Sequence, residues 1–190
     1  MKPPDWVTCT EEELWKYIAW YLAIHGIDTV LVGGAVASIY SKGIYRSGDL
    51  DLVNLTFPGT IDPSPVLKEI GFEKRESRHY IHPDCKHLFI EFVSPPLSIG
   101  EDYNIVPVRT EIEGLEIKIL SPTDCIKDRL ASYVYFKARE CLDQAVLVAN
   151  NQVFDKDSVK KWCDNEGVSG QKAFEDFVRL FKIGKKKNPG

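Results

Sequence analysis

Gly48-Asp49-Leu50-Asp51-Leu52-Val53 places two carboxylates either side of a leucine in an otherwise apolar run. Side chains two apart on a strand leave the same face, so Asp49 and Asp51 would project together while Leu50 and Leu52 enter a core. Two anionic groups held that close in a low-dielectric setting repel each other. A divalent cation relieves the repulsion, and Mg²⁺ is typically held by one or two carboxylates together with substrate phosphates. A turn aspartate after Ser47-Gly48, followed by a solvated one, would give the same letters. The neighbouring segments have to separate the two readings.

Upstream, Thr29-Val30-Leu31-Val32 reads as a short buried strand ending on Gly33-Gly34, with a helix expected over 35–41 and a loop over 42–48. A strand that passes through two glycines into a helix lets backbone N–H groups approach phosphate oxygens, although any tight strand-to-helix turn would use glycine too. Arg46, three residues before Asp49, is placed either to meet a phosphate or to sit at the surface like most loop arginines. Downstream, Leu88-Phe89-Ile90-Glu91-Phe92-Val93 is an apolar strand with one charge at its centre. Glutamate is rarely buried unless it is paired or binds metal. If this strand lies beside Asp49 and Asp51, Glu91 completes an acidic triad; if the strand is half exposed, Glu91 meets water.

Further out, Thr10 followed by Glu11-Glu12-Glu13 forms a capping box for a helix whose Leu14, Trp15, Ile18, Ala19 and Leu22 recur at helical spacing up to Gly26. Pro58, Gly59, Pro63 and Pro65 mark a loop before a short helix over 66–70. Strands are expected over 72–75 and 80–82, with Pro83-Asp84 as a turn, and 105–110 pairs with 115–120 around Glu113-Gly114. From Ser121 the pattern is helical. Ser121-Pro122-Thr123-Asp124 caps a helix with Ile126, Leu130 and Val134 as its apolar stripe. Lys127 lies beside that stripe, either lining the edge of an interface or as a solvated charge. Helices over 158–165 and 171–181 follow, the second with Phe174, Phe177, Val178 and Phe181 as a core stripe. The fold class is α/β (α+β): a mixed-sheet core over 1–120, a helical lobe over 121–184 and a flexible tail over 185–190.

With 190 residues, 44% hydrophobic and 27% charged, the chain suits one well-filled core and a small lobe. A net charge of −4 argues against a whole-surface grip on nucleic acid, although 1–120 is acidic (11 basic, 18 acidic) and 121–190 mildly basic (13 basic, 10 acidic). No run approaches the roughly 20 apolar residues of a membrane span, and the first thirteen residues hold no signal-peptide core. A cytoplasmic location with no membrane partner is expected. The five cysteines form no CxxC pair, which argues against a disulfide framework or zinc ribbon and for reduced thiols. His79, His82, Cys85 and His87 match no zinc-ligand spacing and read as strand-edge polar groups, with Arg78 or His79 facing substrate.

Together, Leu31-Val32-Gly33-Gly34, Asp49-Leu50-Asp51-Leu52 and Ile90-Glu91-Phe92 resemble the signature of the nucleotidyltransferase superfamily, the DNA polymerase beta-like fold. Gly33-Gly34-Ala35 and the stretch 45–51 look most like its AbiEii-type, toxin-like branch, and 120–130 is similar to the helix those proteins place after the catalytic sheet. The resemblance covers roughly 29–149. One departure is Gly48, where the family often has Ser or Thr, which weakens a hydroxyl role there. The resemblance implies that Asp49, Asp51 and Glu91 bind Mg²⁺ or Mn²⁺ and that Gly33 and Gly34 cradle phosphates. It also implies that Lys127 or Arg46 neutralises triphosphate charge, and that Glu91 can alternatively activate the acceptor hydroxyl. The implied substrate is a nucleoside triphosphate, the acceptor a protein, an RNA or a small molecule, and the partner an antitoxin or other protein. Three rivals share these letters: an inactive nucleotidyltransferase-fold binding or regulatory protein, an RNA-end-modifying enzyme of the same fold, and a structural α/β protein with solvated acids.

Overall fold

The capping box forms as the spacing requires. Thr10 Oγ1 accepts the Glu13 N–H at 3.2 Å and Glu13 Oε2 accepts the Thr10 N–H at 2.8 Å, which starts helix α1 (Glu11–Ile24). The Thr10 N–H and the Thr10 hydroxyl, which donates to Glu13 Oε2 at 3.0 Å, hold the Glu13 carboxyl below its ordinary range. A computed structural model describes residues 1–56, 61–76 and 78–187, the last four by backbone alone. The expected loop residues Pro58 and Gly59 and the end of the tail, 188–190, lie outside the described residues.

The chain divides into two compact units. The first comprises Met1–Val36, Arg46–Leu97 and Val106–Leu120. It holds α1, α3 (Ser64–Glu69) and a seven-stranded mixed sheet in the order β3-β4-β5-β2-β1-β7-β6. These strands are β1 (Thr29–Val32), β2 (Asp49–Asn54), β3 (Glu73–Arg75), β4 (His79–Ile81), β5 (Phe89–Val93), β6 (Val108–Ile112) and β7 (Leu115–Ile119). β2 is the central strand, antiparallel to β1 and parallel to β5. Val30, Leu31, Leu50, Leu52 and Ile90 are buried, and α1 packs on the sheet over β7, β1 and β2.

Several boundaries differ from the sequence reading, two of them for local reasons. The β6–β7 hairpin turns on Glu113 (φ 47°) and Gly114 (φ 79°), both left-handed, as a two-residue turn needs. That turn seats the first strand at Val108–Ile112 and leaves out 105–107, where Pro107 has no N–H for a ladder. Helix α2 (Gly33–Tyr40) begins on Gly33 itself, two residues earlier than expected.

The second unit comprises Ala37–Tyr45, Ser98–Ile105 and Ser121–Gly190. Its helices are α4 (Pro122–Phe136), α5 (Arg139–Asn151), α6 (Lys156–Asn165) and α7 (Gly167–Lys187). Helix α4 packs against the other three around Leu130, Leu142, Val159, Trp162 and Phe177, all buried. Of the aromatic stripe of α7, Phe177 is core, stacking on Phe181 at 5.9 Å and meeting Phe154 edge-on, while Phe174, Val178 and Phe181 are half-buried. Among the described residues no helix is long and apolar enough to cross a membrane.

Lys127 is not a solvated charge. It is 7% exposed, and its Nζ lies 3.0 Å from Asp124 Oδ1 and 4.0 Å from Asp102 Oδ2. Asp124, itself buried, is also tied to the Ser121 cap. Removing one member of a buried pair leaves the other charge uncompensated. Lys127→Ala is therefore expected to cost roughly 2–3 kcal/mol in urea unfolding. Lys160→Ala, on an exposed pair with Asp164, should stay within about 0.5 kcal/mol of wild type in the same measurement.

Candidate active site

The central strand places its carboxylates as the two-residue period demands. Along β2, Asp49 and Asp51 are half-buried while Leu50 and Leu52 are fully buried. Register then assembles a row across four strands: Asp51 pairs with Val32 on β1 and Glu91 on β5, and Glu91 pairs with His79 on β4. Residues paired in register share a face. Asp49, Asp51, Glu91 and His79 therefore stand on one side of the sheet, with adjacent strands about 4.8 Å apart. Phe89, opposite Asp49 in register, joins them and takes the His79 ring edge-on at 5.4 Å.

Each carboxylate is oriented by a different device. Asp49 Oδ1 accepts the Ser47 hydroxyl at 2.7 Å. A hydroxyl therefore does serve the acidic pair, from one residue before Gly48, where the sequence reading had weakened such a role. Asp51 is set by the backbone of Gly33, whose φ of +74° suits only glycine without strain. A Cβ on Gly33 would lie 2.1 Å from Asp51 Oδ2. The glycine thus makes room for the protein's own carboxylate at the start of α2, where helix N–H groups favour negative charge. Glu91 has both oxygens engaged. Oε1 receives Arg78 Nε at 2.8 Å, and Oε2 lies 2.9 Å from His79 Nε2.

The remaining expected residues lie in other settings. Gly34 is buried in the first turn of α2. Arg46 is half exposed, and its Nε sits 3.2 Å from Glu11 Oε2. Glu11 is 2% exposed, and its second oxygen accepts the Ser47 N–H at 2.8 Å. Arg46 therefore already answers a buried carboxylate before any phosphate is considered. Lys127 belongs to the second unit, where it lines a polar cavity of about 790 Å³ together with Asp102, Tyr135, Lys161, Trp162 and Glu166.

Oxygen donors alone, on one face of a rigid strand, fit a hard divalent cation such as Mg²⁺ or Mn²⁺. Asp49 and Asp51 carry such donors, and both oxygens of Glu91 are held by Arg78 and His79. Sequence reasoning missed Ser47 and Glu11. It had noticed Arg78 and His79 as substrate-facing candidates, not as the partners of Glu91. His79 was visible only as part of a histidine-rich stretch, and nothing in the spacing linked it to Glu91.

No family model and no curated protein matches the sequence. Among solved structures, the chain is similar to an antigenic nucleotidyltransferase-like protein from Paracoccidioides brasiliensis. The TM-score is 0.63 at 18% sequence identity, over 90% of this chain and 88% of that one. At that identity the likeness is one of fold: the chain has a nucleotidyltransferase-like mixed α/β fold.

The Gly33–Asp51 contact generates a test that removes no carboxylate. A non-glycine residue in the left-handed region costs about 1–2 kcal/mol from the backbone alone. The clash with Oδ2 adds to that and must push the Asp51 carboxylate away. Gly33→Ala is expected to lower the melting temperature and to abolish any rise in it produced by Mg²⁺, whereas Gly48→Ala, with open space around its Cβ, should preserve that response.

Proposed function

We propose that this chain is a metal-dependent nucleotidyltransferase, moving a nucleotidyl group from a nucleoside triphosphate to a hydroxyl acceptor. The observation that carries the proposal is the Asp49–Asp51 pair on the central strand, with Asp51 seated against Gly33 at the start of a helix. The nucleotidyltransferase-like fold supports the same reading. Asp49 and Asp51 would hold Mg²⁺ or Mn²⁺, which when bound neutralises triphosphate charge and polarises the phosphoryl group under attack.

The chain's own residues divide the rest of the work. Ser47 orients Asp49 and Gly33 leaves Asp51 its place, which positions both carboxylates ahead of substrate. The N–H groups at Gly33 and Gly34 are the donors for phosphate oxygens. Arg46 and Lys127 are assigned triphosphate charge by the family resemblance; each must first loosen its hold on Glu11 or Asp124. Glu91 is the group for the acceptor hydroxyl. A proton taken at Oε2 meets His79 Nε2 at 2.9 Å, so the pair can hold it between them. The resemblance of 45–51 and 120–130 to the AbiEii-type branch supports a toxin-like role in a toxin–antitoxin or phage-defence system, with a protein or RNA as acceptor.

One observation favours a second reading. Glu91 has no uncommitted oxygen, which suits a binding or regulatory protein of the same fold that takes up nucleotide without turnover. Incubating the protein with labelled triphosphates, Mg²⁺ and a cell extract separates the two, because only the enzyme labels an acceptor. Glu91→Gln is expected to keep metal-dependent triphosphate binding and to lower labelling by about 10²-fold or more. Asp49→Asn with Asp51→Asn should lose both binding and labelling. Triphosphate binding without labelling in wild type would select the second reading, and neither activity in wild type would remove both.

A further inference from the structure

Outside the carboxylate row, the first unit gathers a second set of metal-ligating atoms. Cys9, Cys85 and His87 each place one such atom within 4.8 Å of the other two. The two sulfurs are 3.9 Å apart and both cysteines are buried, at 2% exposure each. A tetrahedral site with Zn–S bonds of about 2.3 Å has a sulfur–sulfur edge of roughly 3.8 Å. The separation is therefore that of two thiolates sharing one ion, and well beyond the roughly 2.05 Å of a disulfide.

The surroundings are built around these atoms. His87 Nε2 lies 2.8 Å from the Cys9 carbonyl, and donation to a backbone carbonyl is how metal-bound histidines commonly have their tautomer fixed. Cys9 ends a turn in which its own N–H and that of Thr8 return to the Asp5 carbonyl. Trp6 in that turn stacks on His82 at 4.4 Å. On the other side, the Cys85 N–H returns to the His82 carbonyl, closing the turn between β4 and β5. The segment ahead of α1 is thus already folded against the turn that joins the strands of His79 and Glu91.

We propose that Cys9, Cys85 and His87 form a zinc site that clamps the N-terminal segment to the β4–β5 turn. Two thiolates and an imidazole select a borderline-soft cation over the hard Mg²⁺ of the carboxylate row. Each thiol releases its proton to solvent as its sulfur–metal bond forms. His87 is exposed, so the fourth corner of the tetrahedron opens to water. The site braces the edge of the candidate active site and is independent of the chemistry proposed there.

Cobalt(II) reports thiolate ligation directly. The full chain, reduced and stripped with chelator, is titrated with Co²⁺ and then with Zn²⁺. The expected result is one equivalent of Co²⁺ giving thiolate-to-metal charge transfer and the intense visible bands of tetrahedral cobalt, both removed by Zn²⁺. Cys85→Ser should lose the charge transfer. Because Cys85 is buried, His87→Ala provides the second arm at an exposed position, where the fold is not at stake. It is expected to weaken Co²⁺ by about tenfold or more, since even outer-shell partners of metal ligands are worth about 10–100-fold. Asp49→Asn with Asp51→Asn must keep the spectrum, which separates this site from the active-site reading. Reduced wild-type protein without thiolate bands would overturn the proposal. So would unchanged Co²⁺ affinity in His87→Ala, or a Cys9–Cys85 disulfide with no zinc in protein purified without reductant.

Discussion

A carboxylate on the middle strand of a sheet needs somewhere to go, and Asp51 has it only because residue 33 has no side chain. The 2.1 Å between a built Cβ and Asp51 Oδ2 makes the two positions one feature. The same constraint dictates where β1 ends, why α2 starts on Gly33 with φ +74°, and which face of β2 is polar. Leu50 and Leu52 are buried on the opposite side by the strand's period, and that burial fixes the register against slippage. A one-residue slip would bury both aspartates and expose both leucines.

The row that register draws through Asp51, Glu91 and His79 changes the chemistry attributable to each member. Asp49 accepts the Ser47 hydroxyl, and Asp51 occupies the space that Gly33 leaves. Glu91 instead has a cation on one oxygen and an imidazole on the other. In the function proposed above, the first two would grip a cation and the third would handle a proton. One face of one sheet separates the two tasks through the partners it supplies, although all three residues are carboxylates.

Two cations that the family resemblance assigns to phosphate turn out to hold buried anions. Glu11 is the first residue of α1, where an acid usually serves the helix terminus alone. Here it is 2% exposed, takes the Ser47 N–H and faces Arg46, so it ties α1 to the loop that delivers Asp49. Asp124 does similar work in the second unit, joining the Ser121 cap to Lys127. A buried carboxylate without such a partner would be strongly destabilising. Both lysine and arginine are therefore structural before they are anything else.

Local chemistry was readable from the letters alone. The Thr10 capping box, the Ser121-Pro122 helix start, the Glu113-Gly114 turn, the α7 aromatic stripe and the alternation along 49–53 each depend on residues a few positions apart. Their spacing carries the periodicity that decides them, and the fold class followed from it. What lay beyond reach was everything set by partners far apart in the chain. The histidine-rich stretch 79–87 read as one cluster, and folding sends its members to three environments: His79 to Glu91, His82 under Trp6, and Cys85 and His87 to Cys9. Cys9 comes from a turn 76 residues upstream of Cys85. The burial of Lys127 and Glu11 was equally hidden, since a charged residue is placed by whichever opposite charge shares its pocket. Strand period and capping are properties of a segment, so the sequence alone determined them; ligand sets and buried ion pairs are properties of packing, and only the tertiary structure decided those.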